Sequence, residues 1–80
     1  MSLELKIVSP EKVEYEGAVE RVVVPGTNGE FEILVNHAPI ISTLEKGRVI
    51  FHDSEGIHEL EISMGFVEVQ KNIVNICAEL

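Results

Sequence analysis

Apolar and polar positions alternate with a period of two through most of this chain. Leu3-Glu4-Leu5-Lys6-Ile7-Val8 is the first case: Leu3, Leu5 and Ile7 fall on one side and charged residues on the other, the mark of a half-buried strand. Ser9-Pro10-Glu11-Lys12 ends it, because Pro brings no N–H to a ladder. Val13-Glu14-Tyr15-Glu16 alternates again, and Gly17 is expected at a turn or bulge. Ala18–Val24 reads as a third strand, whose closing Val22-Val23-Val24 covers both faces. Pro25-Gly26 and Asn28-Gly29 predict a turn over Pro25–Gly29, since Pro presets φ and Gly takes φ > 0 without steric cost. Glu30–Val35 is expected as a fourth strand, interrupted by Asn36-His37-Ala38-Pro39. Ile40–Leu44 is β-branched and too short for a helix, so it is predicted as extended chain lining the core; Lys46-Gly47 then turns the chain.

Two hairpins should follow. Arg48–Ser54 and Ile57–Met64 flank Glu55-Gly56, and a two-residue turn there pairs Phe51 with Leu60 and Val49 with Ile62 on the inner face, with His52 against Glu59 outside. A slip by one residue would set Glu59 against Phe51 and bury a carboxylate without a partner. Phe66–Gln70 and Ile73–Cys77 flank Lys71-Asn72, pairing Val69 with Val74 and Val67 with Ile76; Asn tolerates the positive φ this turn needs. No amphipathic helical window longer than about ten residues occurs. Many short strands at close turn spacing predict an all-β fold, a sandwich or barrel, in one domain over residues 1–80.

Composition narrows the function. Eighty residues hold one core, and 45% hydrophobic content is enough to fill it. The net charge of −8 argues against nucleic acid, which needs a basic surface to displace counterions, and against direct docking on an anionic leaflet. It suits solubility or a partner with basic patches. No stretch approaches the ~18 apolar residues of a spanning helix. The N-terminus lacks the basic start and long apolar run of a signal peptide, which predicts a cytosolic protein. Cys77 stands alone and reads as a small packed residue. With no Cys/His cluster, neither a metal nor another cofactor is expected.

Four groups of residues are candidates for chemistry. Glu30 and Glu32 could form a carboxylate pair, but strand alternation puts both on one wet face. His52 and His58 are close in sequence, yet the register sends them to opposite faces, without a third ligand. Lys46 could be the modified lysine of a small acidic carrier domain, though no attachment motif surrounds it. His37 could meet a partner, or its ring could cap its own loop by bonding a backbone carbonyl.

Val22-Val23-Val24-Pro25-Gly26-Thr27, Gly29-Glu30-Phe31, His37-Ala38-Pro39-Ile40-Ile41 and Leu44…Gly47 together resemble the N-terminal domain of the epsilon subunit of F-type ATP synthases. Leu5–Pro10 resembles that family's opening strand, and Gly65–Gln70 followed by Asn72 its closing hairpin, so the likeness covers nearly the whole chain. It implies a flattened β-sandwich of short, mostly antiparallel strands. It implies a rotor-stalk subunit that does no chemistry itself, sits on the foot of the gamma subunit, touches the c-ring, and couples ion flow to ATP synthesis at the cytoplasmic face of a bacterial membrane. On this resemblance Glu30 and His37 are expected at the c-ring end, and Val8, Ser9, Ile40 and Ile41 against gamma.

The chain departs from the family pattern in three places. Typical epsilon chains continue into a C-terminal helical hairpin that inhibits ATP hydrolysis and in some members binds ATP; a protein complete at Leu80 would lack that brake. Val35-Asn36 stands where the family usually has Pro-Gly, which bears on the shape of the rotor-facing loop, and Met64 replaces a common Gly, which suggests a local packing change.

Overall fold

Leu3, Leu5 and Ile7 are fully buried, as their alternation requires, and they form the inner face of the first of nine strands. The computed structural model describes residues 1–80 and contains no helix. The strands are β1 (Leu3–Val8), β2 (Val13–Val19), β3 (Arg21–Gly26), β4 (Gly29–Ile33), β5 (Ile40–Leu44), β6 (Gly47–Asp53), β7 (Gly56–Ile62), β8 (Met64–Gln70) and β9 (Ile73–Glu79). Their hydrogen-bonded order is β2-β1-β9-β8-β5-β3-β6-β7, with β4 added to β3 as a free edge. All pairs are antiparallel except β1 with β9, which brings the first and last strands side by side.

A single pair, Gly26 with Leu44, links β3 to β5. The sheet folds over at that link into two layers, β2-β1-β9-β8-β5 and β4-β3-β6-β7. This is the flattened, mostly antiparallel β-sandwich that the pattern and the resemblance imply, with extents of 30 × 25 × 18 Å. Alternation fills the space between the layers. Leu3, Leu5, Ile7, Val67, Val69, Val74 and Ile76 come from one layer, and Val22, Val24, Ile33, Val49, Phe51 and Ile62 from the other. No charged or polar side chain is buried.

The expected strand over Ala18–Val24 is divided at Glu20, with Ala18-Val19 ending β2 and residues 21–24 in β3. Four further sequence expectations shift in the structure. Gly17 is neither turn nor bulge: it lies mid-strand in β2 opposite Leu5, and a Cβ there would stand 3.1 Å from the Tyr15 hydroxyl. The missing side chain lets the Tyr15 ring lean across the strand. The bulge falls at Glu14 instead, where Ile7 pairs with Tyr15 and Val8 with Val13. Second, Pro25 and Gly26 belong to β3, and the turn shrinks to Thr27-Asn28, with Gly29 at φ 125°. Pro25 has no N–H to offer, but its carbonyl accepts the Glu45 N–H at 2.9 Å. Third, β4 ends at Ile33, because Leu34 turns outward, its carbonyl accepting the His37 N–H at 3.1 Å.

Fourth, the β6–β7 turn sits one residue earlier than expected, on Ser54-Glu55, and Gly56 follows at φ 126°. Phe51 therefore faces His58, Val49 faces Leu60, and His52 faces Ile57. The register moves by two residues, so every side chain keeps its predicted face. The β8–β9 hairpin has the expected register, Val69 with Val74 and Val67 with Ile76, with Lys71 and Asn72 at φ 52° and 63°. Both central residues at positive φ is the requirement of the type I′ turn.

Ile76, fully buried in β9 between β1 and β8, should cost about 2–5 kcal/mol when cut to alanine. Gly65→Ala should also destabilise, since its Cβ would collide with the Cys77 carbonyl oxygen across the ladder. Urea unfolding of both variants checks this, with unchanged slopes and lowered midpoints expected.

Candidate functional site

The outward side of the five-stranded layer carries a group of exposed apolar side chains. Reading across the registers, Thr43, Phe66, Cys77, Val8 and Val13 stand in one row over β5, β8, β9, β1 and β2. Phe66 and Val13 are each 48% exposed, and Met64 beside the row is 55% exposed. Val8, Met64, Phe66, Cys77 and Ala78 line an open depression of about 560 Å³ with Ser9 and Pro10 at its margin. Met64, the residue in place of a common Gly, repacks nothing inside: it adds to this outer surface. Of the two isoleucines expected at a partner, Ile40 packs on the core and Ile41 points out, 74% exposed, on the same face as Val8. Three strand spacings, roughly 14 Å across the sheet, and two residues along it separate Val8 from Ile41. Ser9 is largely occupied within its own turn. Its Oγ accepts the Glu11 and Lys12 amides, both at 3.3 Å, and donates to the Glu14 carboxylate at 2.8 Å.

His37 lies in the loop from Leu34 to Pro39. Its Nδ1 is 2.6 Å from the Ala38 carbonyl oxygen, and its ring stands 6.5 Å from that of Phe31. A carbonyl only accepts, so Nδ1 carries a proton; in the neutral ring Nε2 is then left as an acceptor. The carbonyl-capping geometry is present, and the outer nitrogen is still free to meet another group. Asn36, in the place of the usual Gly, adopts φ 68°, which Asn tolerates because its short polar side chain can bond locally. Its amide donates to Asn72 Oδ1 at 2.6 Å.

Glu30 and His37 do not come together. Glu30 alternates with Phe31 along β4, so the carboxylate faces outward while the Phe31 ring and His37 lie on the other side. Glu30 instead lines an open depression of about 500 Å³ with Lys46, Arg48, Glu61 and Leu80. Glu32 shares its face but pairs with Arg21 at 3.1 Å. Two exposed carboxylates, one of them ion-paired, do not make a catalytic pair. Lys46 sits at the bend between β5 and β6, strands that do not pair with each other, rather than at the hairpin tip a carrier lysine needs.

A cluster that sequence reasoning missed closes the seam between β2 and the β6–β7 hairpin. Tyr15 donates its hydroxyl to Asp53 Oδ2 at 3.1 Å, while Asp53 Oδ1 meets His58 Nε2 at 2.9 Å and the Glu55 amide at 2.8 Å. Phe51 completes a triangle of rings, 4.4 Å from Tyr15 and 5.2 Å from His58, which stand 6.3 Å from each other. The bond from His58, then the Glu55 amide, holds the Asp53 carboxyl below its ordinary value of 3.8. Burial, then the bond to Asp53, raises the Tyr15 phenol. The sequence carried one local sign of this cluster, an Asp opening a turn two residues before an amide it can cap. Nothing local joins Tyr15 to a residue thirty-eight positions on.

These surfaces define a class: a small β-sandwich marked by an outward apolar row and a braced loop rather than by a cleft of converging reactive groups. Residues 2–80 match the family described as ATP synthase, Delta/Epsilon chain, beta-sandwich domain, and the chain belongs to that family. The ATP synthase epsilon chain of Leptospira borgpetersenii serovar Hardjo-bovis is 40% identical over 77 residues, which cover 96% of this chain and 61% of that one. The corresponding chain of Desulfitobacterium hafniense (strain DSM 10664 / DCB-2) is 44% identical over 75 residues, covering 94% and 57%. The chain thus spans about three-fifths of the length of these relatives. A chain in the Euglena gracilis mitochondrial ATP synthase structure, OSCP/F1/c-ring in rotational state 1, shares the fold with a TM-score of 0.89 at 20% identity, over 96% of this chain and 50% of that one. A chain of the Tetrahymena thermophila mitochondrial central stalk/c-ring structure gives 0.82 at 15%, over 100% and 65%.

The Asp53 contacts set a pH dependence of stability. A carboxyl whose native pKa is depressed stabilises the fold above its unfolded pKa, and that contribution fades as pH falls through the lower native value. Asp53→Asn should therefore be less stable than the parent at pH 7, and the gap should narrow below about pH 3.8. Thermal melts of both proteins across that range measure it.

Proposed function

We propose that this chain acts as the β-sandwich of a central-stalk subunit of an F-type ATP synthase. In this reading it does no chemistry itself and joins the gamma subunit to the c-ring, so that rotation driven by ion flow reaches the catalytic head. It is held at the membrane only through the complex, on the cytoplasmic face in a bacterium. The observation that carries the reading is the outward apolar row on the five-stranded layer, in a chain whose family is the beta-sandwich domain of ATP synthase delta/epsilon chains. A contiguous outward row of aromatic and aliphatic side chains favours a partner surface.

Gamma takes that face, with Val8 and Ile41 at its two sides and Phe66 and Met64 between them. Ser9 shapes the turn beside it, and Ile40 supports Ile41 from within. The c-ring meets the free edge of β4, with Glu30 on one side and the His37 loop on the other. Both solved neighbours come from assemblies that hold a c-ring.

Pull-down with a purified gamma subunit tests the reading. Binding should survive raised salt, because screening weakens exposed charge pairs and leaves apolar burial intact. Phe66→Asp should weaken it by about thirtyfold, a loss of roughly 2 kcal/mol for a central aromatic contact. Loss of binding when salt alone is raised, or no effect of Phe66→Asp, would remove gamma from this face.

A further inference from the structure

Asn72 makes three hydrogen bonds to two distant parts of the chain, β1 and the His37 loop. Its backbone carbonyl accepts the Glu4 N–H at 2.8 Å, which ties the β8–β9 turn to β1. Its Oδ1 accepts the Asn36 N–H at 2.6 Å, and its Nδ2 donates to Asn36 Oδ1 at 3.3 Å. The last two bonds form a two-point clasp across thirty-six residues. At the other end of the clasp, Asn36 holds φ 68° and His37 follows directly. Asn36 has left the ladder, so little else holds its amide; without Asn72 that N–H would go to water.

We infer that Asn72 is the positioning residue for the His37 loop, setting the direction of the half-buried imidazole that meets the c-ring. This rests on the c-ring reading above. The clasp supplies what a proline before the loop would otherwise supply by fixing φ. Here Val35 leaves the backbone freer, and the restraint comes from a distant hairpin turn instead. Asn suits this place because it does two jobs: it accepts φ 63° in the turn, and its amide offers one acceptor and one donor to Asn36.

Asn72→Gly separates these jobs. Glycine keeps the positive φ and the carbonyl for Glu4, and removes the clasp alone. In the isolated chain, amide exchange at Asn36 should rise by about tenfold, the worth of one to two hydrogen bonds, while Leu5 and Val74 stay protected. In a rotor assembled from this chain, gamma and c-ring, retention of the c-ring should fall by a similar factor and binding to gamma should not change. Asn72→Asp, which keeps the acceptor, should restore most of both.

Unchanged Asn36 exchange in Asn72→Gly would overturn the clasp. Faster exchange with full c-ring retention would overturn the positioning role while leaving the c-ring reading intact. If the parent protein itself fails to retain a c-ring, the c-ring reading falls, and the exchange measurement alone decides whether Asn72 holds the loop.

Discussion

The two layers of this sandwich are one sheet, folded at one corner. There Gly26 pairs with Leu44, Thr27 N–H reaches the Thr43 carbonyl at 3.1 Å, and Glu45 N–H reaches the Pro25 carbonyl at 2.9 Å. The chain from Ile40 to Asp53 passes through this corner: its first half pairs with β8 in one layer and its second half with β3 in the other. The backbones come so close that side chains are excluded. A Cβ on Gly26 would lie 2.7 Å from the Gly29 carbonyl oxygen and 2.9 Å from the Phe31 ring. One on Gly47 would lie 2.8 Å from the Pro25 Cβ. The need for those glycines is steric, and the layered core exists because the corner can close.

The opposite seam is closed by side chains. Tyr15 from one layer reaches Asp53 in the other across the stacked Phe51 and His58 rings. The two seams therefore answer to different conditions. Backbone pairing at the corner involves no titrating group, whereas the side-chain seam depends on an ionised carboxylate and fades when acid protonates it. Between the seams, sixteen apolar side chains fill the interior and no polar side chain needs a buried partner. A core that is complete on its own frees the outer faces. The outward side chains of the apolar row and of β4, and the His37 loop, can serve partners without giving up core packing. Both proposed contacts thus sit on a scaffold whose stability comes from elsewhere.

Much of the fold was legible because the period of two is a direct image of a strand with one wet face. Leu3, Leu5 and Ile7 show it, and so does the Val67–Ile76 hairpin, where the turn residues and both inner faces agree on one register. The misreadings have local causes. Pro25-Gly26 signals a turn in any short window, and a strand at a corner uses the same two residues. Ser54-Glu55 and Glu55-Gly56 are both acceptable turns for the inner-face pattern, because registers two residues apart keep every side chain on its side. Gly17 was read for its freedom, when what mattered was the space it leaves for Tyr15.

The sequence by itself determined the all-β class, the single core, the faces of nearly every strand and, through its ordered motifs, the family. Each of these is written in residues near one another or in a pattern that repeats. Only the tertiary structure decided that β1 and β9 lie side by side, that Tyr15 meets Asp53, that Asn72 holds Asn36, and that Glu30 and His37 flank β4 instead of meeting. The first three join residues far apart in the chain, and the last depends on how the loop after β4 closes. Their partners are chosen by how the folded layers close, and no spacing or local propensity encodes that choice.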